Sequence, residues 1–508
     1  MSWSRLRRIV QIVLLVAFVG LTIGGLGLGS SWAFSSLFSR LDPLVGLSAA
    51  LASRAFIAFW AAALLTVVLS IALGRVWCGW ICPLGTLIEL APLPALLRSK
   101  ISPRWRLGKY VTLAVVLGAA IVGNLGPMIL DPVTIIARPL QELARPFVGN
   151  DAVGLGIGAT LGRGAVHTVA FLSLIPLVLV IALSLAEHRA WCRDVCPLGG
   201  LLGVLSKLPG VRRVVDAETC TGCARCAKAC PTDAIARKGG FESSSAECIV
   251  CLRCLDACPA GANAFGAAPP KLLAPAYQPA RRDALIAVGA TGLGVVAVVL
   301  PIERADADIL RPPSTTPARL AELCVRCGAC YSACPTGSLR PSVSFATEAG
   351  PWTPMLDERP AHCTMNCNRC AVPCPTDAIH TPTQSERIAL GLGVRAEIDK
   401  TRCRAWANNH ACMQCQSTCP ISGALVGVER PANLPSRRGG PPVEVPVVNT
   451  ELCVGCNQCA PSCAMTPAAI GSPLPKYDPG TIRPQMPPPG VTGMPGSSGS
   501  SKRTPTTE

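Results

Sequence analysis

Charged residues are scarce in this 508-residue chain, at 15% of the sequence against about 25% in an average soluble protein. Half of the residues are apolar, and aromatic residues make up only 5%. This composition excludes a wholly disordered chain, which needs high charge and low hydrophobicity. It favours a multi-domain protein with a membrane-embedded part. The formal net charge is +16, but the basic residues lie beside apolar stretches, so we expect no nucleic-acid partner.

Several cofactor motifs are also missing. The chain holds no Cys-x-x-Cys-His run, which excludes covalently attached c-type haem. Two of its five histidines, His167 and His188, lie near an apolar stretch and could in principle ligate haem, although interfacial or packing histidines are commoner. No glycine-rich run lies in a strand–turn–helix setting, so neither nicotinamide nor nucleotide chemistry is indicated.

Long apolar stretches, in contrast, are present. Five reach or approach the roughly 20 residues that cross a bilayer, at 9–29, 55–74, 110–130, 168–186 and 284–302. A buried core helix is the alternative for each, but four nearly charge-free stretches in the first 190 residues favour a membrane bundle. Arg and Lys concentrate at the N-terminus and in loop 75–109, so both are predicted to face the cytoplasm, as is the segment after the fourth span. If the fifth stretch crosses, everything after about residue 303 lies outside.

All 28 cysteines fall into seven groups of four. Residues 220–231 (CTGCARCAKACP) and 248–259 (CIVCLRCLDACP) carry the C-x2-C-x2-C-x3-C-P spacing of bacterial ferredoxins. Three thiolates on a tight loop hold one [4Fe–4S] cube, and the fourth, before proline, usually serves the neighbouring cube. Structural zinc prefers two separated pairs, and disulfides are disfavoured in the cytoplasm. We therefore expect two clusters, one held by Cys220, Cys223, Cys226 and Cys258 and the other by Cys248, Cys251, Cys254 and Cys230.

The C-terminal part repeats this theme four times, which predicts four more clusters. Residues 324–335 carry the full pattern, whereas the first gap is longer in 363–375 and 403–420, and Ala464 replaces the proline after the motif 453–463. The sequence leaves open whether the motifs pair in order, or outer with outer and inner with inner. The predicted ligands are Cys324, Cys327, Cys330, Cys334, Cys363, Cys367, Cys370, Cys374, Cys403, Cys412, Cys415, Cys419, Cys453, Cys456, Cys459 and Cys463.

Two further cysteine pairs form an internal repeat, WCGWICPLG at 77–85 and WCRDVCPLG at 191–199. Each follows an even-numbered span and is predicted to lie at the cytoplasmic membrane surface. An i, i+4 spacing would put both thiols of a pair on one helical face. Three interpretations stay open: a further cluster, a thiol/disulfide redox site, or inert packing cysteines. The residues concerned are Cys78, Cys82, Cys192 and Cys196.

Residues 280–307 join the two halves and look like a twin-arginine export signal inside the chain. Arg281 and Arg282 precede an apolar run, and 305–307 read Ala-Asp-Ala, a small-x-small site. Ala280 and Ala284 stand where Ser and Phe are usual, and a basic flank on an ordinary fifth span is the alternative. Cleavage after Ala307 would release the last domain from the membrane part.

The predicted fold is multi-domain, an α-helical membrane bundle with small α+β bacterial-ferredoxin-like [4Fe–4S] domains. We expect a four-span membrane domain with both C-x3-C-P motifs at 1–200, a cytoplasmic two-cluster domain at 201–270, the junction at 280–307, an extracytoplasmic four-cluster domain at 308–470, and a disordered tail rich in Pro, Gly, Ser and Thr at 471–508.

With these motifs, residues 1–270 resemble the NapH family of membrane ferredoxin-type quinol dehydrogenases. Residues 280–470 resemble the NapG and MauM family of exported four-cluster proteins. The resemblance rests on the order of the motifs, including the long first gap at 403–412 and the missing proline after Cys463. The chain departs from the family pattern because it fuses two subunits, which are separate in the family, into one polypeptide.

The resemblance implies a protein of the bacterial inner membrane that oxidises the membrane quinol pool. Its electrons would go to a periplasmic reductase, dehydrogenase or cytochrome partner, such as a nitrate reductase system. A maturation or redox-sensing accessory role for a periplasmic enzyme such as methylamine dehydrogenase is the alternative. Six clusters are expected, with a seventh if the C-x3-C-P pairs hold one. How electrons cross between the two faces stays open, since the spans contain no cluster motif; a diffusing quinone is one answer.

Overall fold

The computed structural model describes residues 2–27, 33–55, 61–91, 103–148, 164–208, 210–236, 240–268, 281–299, 312, 315–342, 351–356, 362–365, 367–381, 383, 385–386, 391–392, 395–430, 441 and 443–471. The predicted tail beyond 471 and the predicted cleavage site at Ala307 lie outside these residues.

The described residues up to Leu205 form a helical bundle. Its described α-helices are α1 (Trp3–Gly27), α2 (Leu37–Arg40), α3 (Pro43–Ser53), α4 (Ala61–Leu73), α5 (Pro83–Leu90), α6 (Gly108–Ile121), α7 (Pro132–Val148), α8 (Gly164–Ala186) and α9 (Pro197–Leu205). Short 3-10 segments occupy Ala33–Ser36, Pro103–Leu107 and Gly126–Leu130, and single π-helical turns occupy Trp77–Ile81 and Trp191–Val195.

One helix in the described part of the chain is long and apolar enough to cross a membrane, namely Trp3–Gly24 of α1. The apolar helices Pro43–Ser53, Ala61–Leu73 and Leu172–Leu185 are shorter. One such helix near an N-terminus is weak evidence of a membrane domain, because a signal sequence and a buried core helix meet the same criteria. The four spans and the fifth therefore stay a prediction.

The third predicted span, 110–130, is not a single helix. Helix α6 ends at Ile121, where the chain turns through Gly123 with a φ of +79°. A 3-10 segment then covers Gly126–Leu130. With 14 residues, α6 is about 21 Å long, which is shorter than the hydrocarbon core of about 30 Å.

The fifth predicted span is a helix, α12 (Arg281–Val299), and it packs along α6. Glycines allow the two helices to approach closely. A Cβ atom added at Gly118 would lie 2.7 Å from Val295 Cγ2, and one added at Gly294 would lie 2.6 Å from Val115 Cγ2. Small residues at such a contact are typical of helix pairs in membranes.

The first ferredoxin-like unit follows α9. An antiparallel pair, β1 (Gly210–Val215) and β2 (Asn263–Ala268), runs in register from Gly210 opposite Ala268 to Val215 opposite Asn263. Between the strands lie the two cysteine motifs, each with a short helix, α10 (Arg225–Ala229) and α11 (Arg253–Asp256).

The described residues of the C-terminal unit form short helices and three antiparallel strand pairs. Its helices are α13 (Pro317–Leu323), α14 (Ala329–Ser332), α15 (Arg404–Asn408) and α16 (Gln414–Thr418). The strand pairs are β3 (Leu339–Pro341) with β4 (Pro354–Leu356), β5 (Glu397–Ile398) with β8 (Ile470–Gly471), and β6 (Leu425–Glu429) with β7 (Glu444–Val448).

The two ferredoxin-like units lie at opposite ends of the bundle, as α6 shows. At the start of α6, Lys109 Nζ is 2.6 Å from Glu247 Oε1 of the first unit. Beyond its other end, the Leu125 amide donates to the Ala321 carbonyl of the C-terminal unit at 3.1 Å.

Helix α8 spans the same distance between the two units, in the opposite chain direction. Ser173 Oγ accepts a hydrogen bond of 2.9 Å from Trp352 Nε1 of the C-terminal unit. Arg189, which follows the other end of α8, lies beside the first unit, and the two positions are about 24 Å apart along the axis. The bundle therefore separates the two sets of cysteine motifs.

Candidate iron–sulfur centres

The C-x3-C-P pairs come together in the bundle core, next to the first ferredoxin-like unit. Cys78 and Cys192 each lie in a π-helical turn, and Cys82 and Cys196 each cap the helix that begins with the following proline. The Gly85 amide lies 3.5 Å from Cys82 Sγ, and the Gly199 amide lies 3.3 Å from Cys196 Sγ. The predicted i, i+4 helical face is therefore replaced by a π turn and a helix N-cap, a geometry frequent at functional sites.

All four thiols of these pairs are buried, with exposed fractions of 4–9%. Burial raises the pKa of Cys82 and Cys196 well above the ordinary thiol value, and the Cys192 and Cys78 thiols add to the rise in both cases. The four thiols are thus close enough to influence one another. A buried thiol with a raised pKa is a poor nucleophile, so the arrangement disfavours thiol/disulfide exchange.

Arginines from the two repeats cross over this site. Arg75 Nη2 lies 3.9 Å from Cys78 Sγ and 3.4 Å from the Cys192 carbonyl of the other repeat. Arg189 Nη1 donates to the Cys78 carbonyl at 3.1 Å, and its Nη2 donates to the Gly85 carbonyl at 3.1 Å. Both guanidinium groups are almost completely buried. They offset the negative charge that four thiolates, or an anionic cluster bound to them, would place in the core.

Buried donors also remain for a bound group. Within the described residues, the indole Nε1 of Trp77 and Trp191 and the Nε of Arg75 and Arg189 are buried without a hydrogen-bond partner. These four N–H groups occupy matching positions in the two repeats. Because a buried donor without an acceptor is costly, their presence fits a group that carries acceptors, such as the sulfides of a [4Fe–4S] cluster.

The first ferredoxin-like unit sits directly on this site. A Cβ atom at Gly79 would lie 2.0 Å from the Ile249 carbonyl oxygen, so only glycine permits the approach. Trp80 Nε1 donates to the Val250 carbonyl at 2.9 Å. Ile249 and Val250 lie between Cys248 and Cys251, so the second cysteine motif touches the C-x3-C-P site.

Two buried carboxylates form ion pairs across this contact. Glu89 of the bundle pairs with Arg7, with Arg189 at 2.6 Å, and with Arg253 of the ferredoxin-like unit. Conversely, the carboxylate of the second pair belongs to the ferredoxin-like unit: Glu247 pairs with Lys109 of the bundle at 2.6 Å. The Glu89–Arg253 and Glu247–Lys109 ion pairs thus join the bundle to the second cysteine motif and to the residue that precedes it.

In the first unit, Cys230 lies near thiols of the following motif, with which it is predicted to share a cluster. Burial raises the pKa of Cys254 to about 12, and the neighbouring Cys251 and Cys230 thiols contribute to the rise. The pKa of Cys248 is raised to about 12, again mainly by burial and with Cys230 among the neighbours. Cys223 is exposed. The assignment of Cys220, Cys226 and Cys258 to the other cluster stays a prediction.

In the C-terminal unit, the first two motifs pair in order. A single cavity is lined by Cys324, Cys327, Cys330 and, from the second motif, Cys374. Burial raises the pKa of Cys363, and the rise is increased by Cys370 and Cys367 of its own motif, by Cys334 of the first motif and by Cys456 of the last motif.

The last two motifs also pair in order. A second cavity is lined by Cys453, Cys456, Cys459 and, from the third motif, Cys419. The two pairs adjoin each other, because the Cys363 amide donates to the Cys456 carbonyl at 3.1 Å. This choice between the two pairings was open from the sequence, because linkers of similar length do not decide it.

Four of the six ferredoxin-type motifs share one backbone signature. The residues on both sides of the second cysteine have positive φ, in the pairs Gly222 and Ala224, Val250 and Leu252, Arg326 and Gly328, and Gly455 and Asn457. Left-handed conformations of this kind are costly for most residue types and persist where a function requires them. In the two motifs with a lengthened first gap, none of the described residues next to the second cysteine has a positive φ.

No group of three or more Cys, His, Asp or Glu side chains within the described residues is placed to hold a single metal ion. Cubane ligands are spaced more widely than the ligands of one ion, because each binds a different iron. His188 is exposed on the bundle, and the side chain of His167 lies outside the described residues.

Comparison with known proteins agrees with this inventory. Family models described as 4Fe-4S binding domains match residues 55–104 and 169–214, residues 213–236 and 319–340, and residues 450–466. The first of these covers both C-x3-C-P repeats. No solved structure matches.

Three curated relatives are similar to different parts of the chain. MauM of Paracoccus denitrificans, a methylamine utilization ferredoxin-type protein, is 34% identical over 38% of this chain and 84% of its own length. The ferredoxin-type protein NapH of Escherichia coli is 32% identical over 46% of this chain and 77% of its own length. NapG of the same organism is 30% identical over 37% of this chain and 81% of its own length.

Motifs, fold and relatives thus define a ferredoxin-type electron-transfer protein with several 4Fe-4S binding domains. The chain belongs to the NapH and NapG/MauM ferredoxin-type proteins and joins the two types in one polypeptide.

Sequence reasoning missed the crossed arginines and the carboxylates that fasten the ferredoxin-like unit. The repeat holds a signal for the first, since both copies read Arg-x-Trp-Cys, with Arg75 and Arg189 three residues before the first cysteine. Glu89 and Glu247 have no such signal, because their partners lie on distant segments of the chain.

Proposed function

We propose that this protein oxidises quinol at the membrane core and passes the electrons to a periplasmic redox enzyme system. The observation that carries the proposal is the buried set of four thiols in the C-x3-C-P repeats, which touches one ferredoxin-like unit while the other lies at the far end of the bundle. Bound [4Fe–4S] clusters would supply one-electron acceptors for a two-electron donor.

A membrane location is supported by bands of exposed apolar side chains. Helix α1 exposes Val13 and Val16, and α4 exposes Leu65 and Val68, each by more than half. Helices α8 and α12 do the same at Val178 and Leu285, among others. Contiguous exposed apolar surface of this kind needs a cover, and lipid is the cover that fits helices of this composition.

The proposed orientation places the N-terminus and the first ferredoxin-like unit in the cytoplasm and the C-terminal unit in the periplasm. Basic residues at the end of the bundle that carries the first ferredoxin-like unit support this orientation. We propose six clusters at the ferredoxin-type motifs and a seventh between Cys78, Cys82, Cys192 and Cys196, where burial, crossed arginines and unpartnered N–H groups favour a bound cluster over a free dithiol.

A maturation or redox-sensing role is the second candidate, and it is favoured by the similarity to MauM, whose name places it in methylamine utilization. In that case the chain would supply electrons or clusters while a periplasmic enzyme such as methylamine dehydrogenase is assembled. The acceptor in the first candidate would be a reductase, such as a nitrate reductase, or a cytochrome.

Purified anaerobic holoprotein decides between them. A soluble quinol analogue should reduce its clusters, followed by visible absorption and electron paramagnetic resonance. Absence of reduction by quinol, with reduction by dithionite intact, would remove the dehydrogenase function. Transfer of iron and sulfide from the protein to an apo-enzyme partner would establish the maturation role instead.

A further inference from the structure

A short segment of the bundle, the 3-10 turn Ala33–Ser36 followed by α2, lies between the C-x3-C-P site and the C-terminal unit. Its Phe38 is buried and packs edge-on against Phe18 of α1, with ring centroids 5.1 Å apart and an interplanar angle of 86°. The same Phe38 ring lies 6.5 Å from the ring of Trp77. Trp77 is 2% exposed and immediately precedes Cys78.

The other side of this segment reaches the C-terminal unit. Arg40, two residues after Phe38, donates from Nη2 to the Val372 carbonyl at 3.1 Å. Burial lowers the pKa of Arg40, and the thiols of Cys374 and Cys327 oppose that shift, so the guanidinium group lies within electrostatic reach of both. These two cysteines line the first cavity of the C-terminal unit.

Contacts along helix α1 also place the Phe18–Phe38 pair between these two sites. Gln11 Nε2 donates to the Gly79 carbonyl at 2.9 Å and so marks the level of the C-x3-C-P site. Phe18 lies seven residues further, about 10 Å along the axis. Helix α1 also contacts α14, which belongs to the motif of Cys327 and Cys330. The Phe18–Phe38 contact therefore lies between the two sites.

The space between the sites is packed protein. Residues around Cys78, Phe38 and Cys327 belong to one continuous buried apolar cluster. Electron tunnelling falls steeply with distance, and it is faster through close-packed atoms than across a gap. A dense interior that contains the contacting rings of Phe38 and Trp77 is thus a suitable conductor.

We propose that Trp77 and Phe38 form the contact through which electrons pass between the C-x3-C-P centre and the site of Cys324, Cys327, Cys330 and Cys374. Each transfer moves one electron, so that the donor centre is oxidised by one electron and the acceptor centre is reduced by one electron. No bond breaks and no proton is transferred. The inference rests on the proposed cluster at the C-x3-C-P pairs. It makes the protein a direct conductor between the two faces, without a diffusing quinone.

The test uses holoprotein reconstituted in vesicles of quinone-free lipid. The vesicles enclose ferricyanide as electron acceptor, and dithionite, a membrane-impermeant reductant, is added outside. The wild-type protein should bleach the enclosed ferricyanide without quinone. Phe38→Leu should slow the bleaching severalfold, whereas Phe38→Tyr, which retains the ring, should keep most of the rate. Phe34→Leu, in the same segment but 62% exposed, is the matched control and should behave as wild type.

Iron content and the resonance signals of the clusters show whether each variant has assembled. Freeze-quenched samples should show the centre on the dithionite side reduced first in Phe38→Leu, with delayed reduction of the centre on the other side. Bleaching by the wild type only after quinone is added, or an unchanged rate in an assembled Phe38→Leu variant, would overturn the proposal. Should Phe38→Leu fail to assemble, the wild-type result without quinone still decides. Because no quinol takes part, failure here is distinct from failure of quinol oxidation.

Discussion

Arg189 of the second C-x3-C-P repeat donates to the carbonyl oxygen of Cys78 in the first repeat at 3.1 Å. Arg75 of the first repeat reaches the Cys192 carbonyl of the second at 3.4 Å. The two repeats are thus folded into one unit in which each arginine supports the partner repeat. A change in either repeat should therefore disturb the whole centre.

Loss of one thiol from each repeat should remove a single centre and no more. In the Cys78→Ser, Cys192→Ser double variant, we expect quinol-dependent reduction to stop and the iron content to fall by the equivalent of one [4Fe–4S] cluster. Dithionite should still reduce the remaining clusters, which is the internal control. Unchanged iron content together with unchanged quinol reduction would remove these cysteines from the electron path.

Glu89 should make the protein sensitive to acid. Burial by itself would raise the pKa of Glu89, but Arg189, Arg7 and Arg253 outweigh burial and lower it to about 2. A carboxylate whose folded pKa lies below its unfolded value stabilises the fold above the unfolded pKa, and this stability is lost as pH falls from about 4.5 towards 2. The shift corresponds to a contribution of about 3 kcal/mol above that window.

The variant Glu89→Gln should lower the free energy of unfolding by about 3 kcal/mol near neutral pH, because it leaves three arginines at a buried site. The difference from wild type should shrink as pH falls below 4.5, followed by circular dichroism in detergent. Glu218→Gln, at an exposed position of the ferredoxin-like unit, is the control and should match wild type. A difference between Glu89→Gln and wild type that does not vary with pH would contradict the assignment.

Gly79 should be indispensable for docking the first ferredoxin-like unit. In Gly79→Ala the new methyl group would lie 2.0 Å from the Ile249 carbonyl oxygen, so the unit must move away. We expect a loss of stability of at least 1–3 kcal/mol and slower electron exchange between the C-x3-C-P site and the Cys248 motif. Gly266→Ala in β2 meets nothing within 4 Å and serves as the matched control. Equal thermal midpoints for the two variants would contradict the close contact.

The motifs and their order could be predicted from the sequence because they are local. Cysteine spacing is a property of one loop, and it predicts that Cys230 shares a cluster with Cys248, Cys251 and Cys254; Cys230 lies close enough to Cys248 and Cys254 to contribute to their raised pKa values. Helices at the apolar stretches were also predictable from composition. The end of α6 at Ile121 was not, since the apolar run continues through Gly123 and only the turn of the backbone interrupts it.

Relationships between distant segments could not be predicted in the same way. The order of pairing in the C-terminal unit depends on how the three linkers between its four motifs fold back, and the lengths of these linkers are similar. Contacts such as Arg253 with Glu89, or Phe38 with Trp77, join positions far apart in the chain with no repeated pattern to mark them. These contacts follow from tertiary packing alone.

Asp42 and Asp131 form a carboxyl pair near the end of the bundle that carries the C-terminal unit. The predicted change of stability with pH has the opposite sign for this pair to that for Glu89. Asp42 Oδ1 accepts from the Leu44 amide at 2.8 Å, and Asp131 Oδ2 accepts from the Val133 and Thr134 amides at 3.0 and 2.9 Å. Their other oxygens are buried without a donor among the described residues. Burial raises the pKa of Asp42 well above its usual value, and the adjacent Asp131 carboxyl adds to the rise. Burial and mutual repulsion therefore favour one shared proton over two negative charges at this pair.

A carboxyl group whose folded pKa lies above its unfolded value stabilises the fold at low pH, and it costs stability as pH rises from the unfolded pKa through the folded one. Asp42→Asn should remove that cost, because asparagine still caps α3 and can donate to Asp131. We expect its thermal midpoint to equal or exceed that of wild type at pH 8, whereas Asp42→Ala should lose about 1 kcal/mol with the cap. A marked loss of stability in Asp42→Asn at pH 8 would instead require a charged Asp42 in the folded protein.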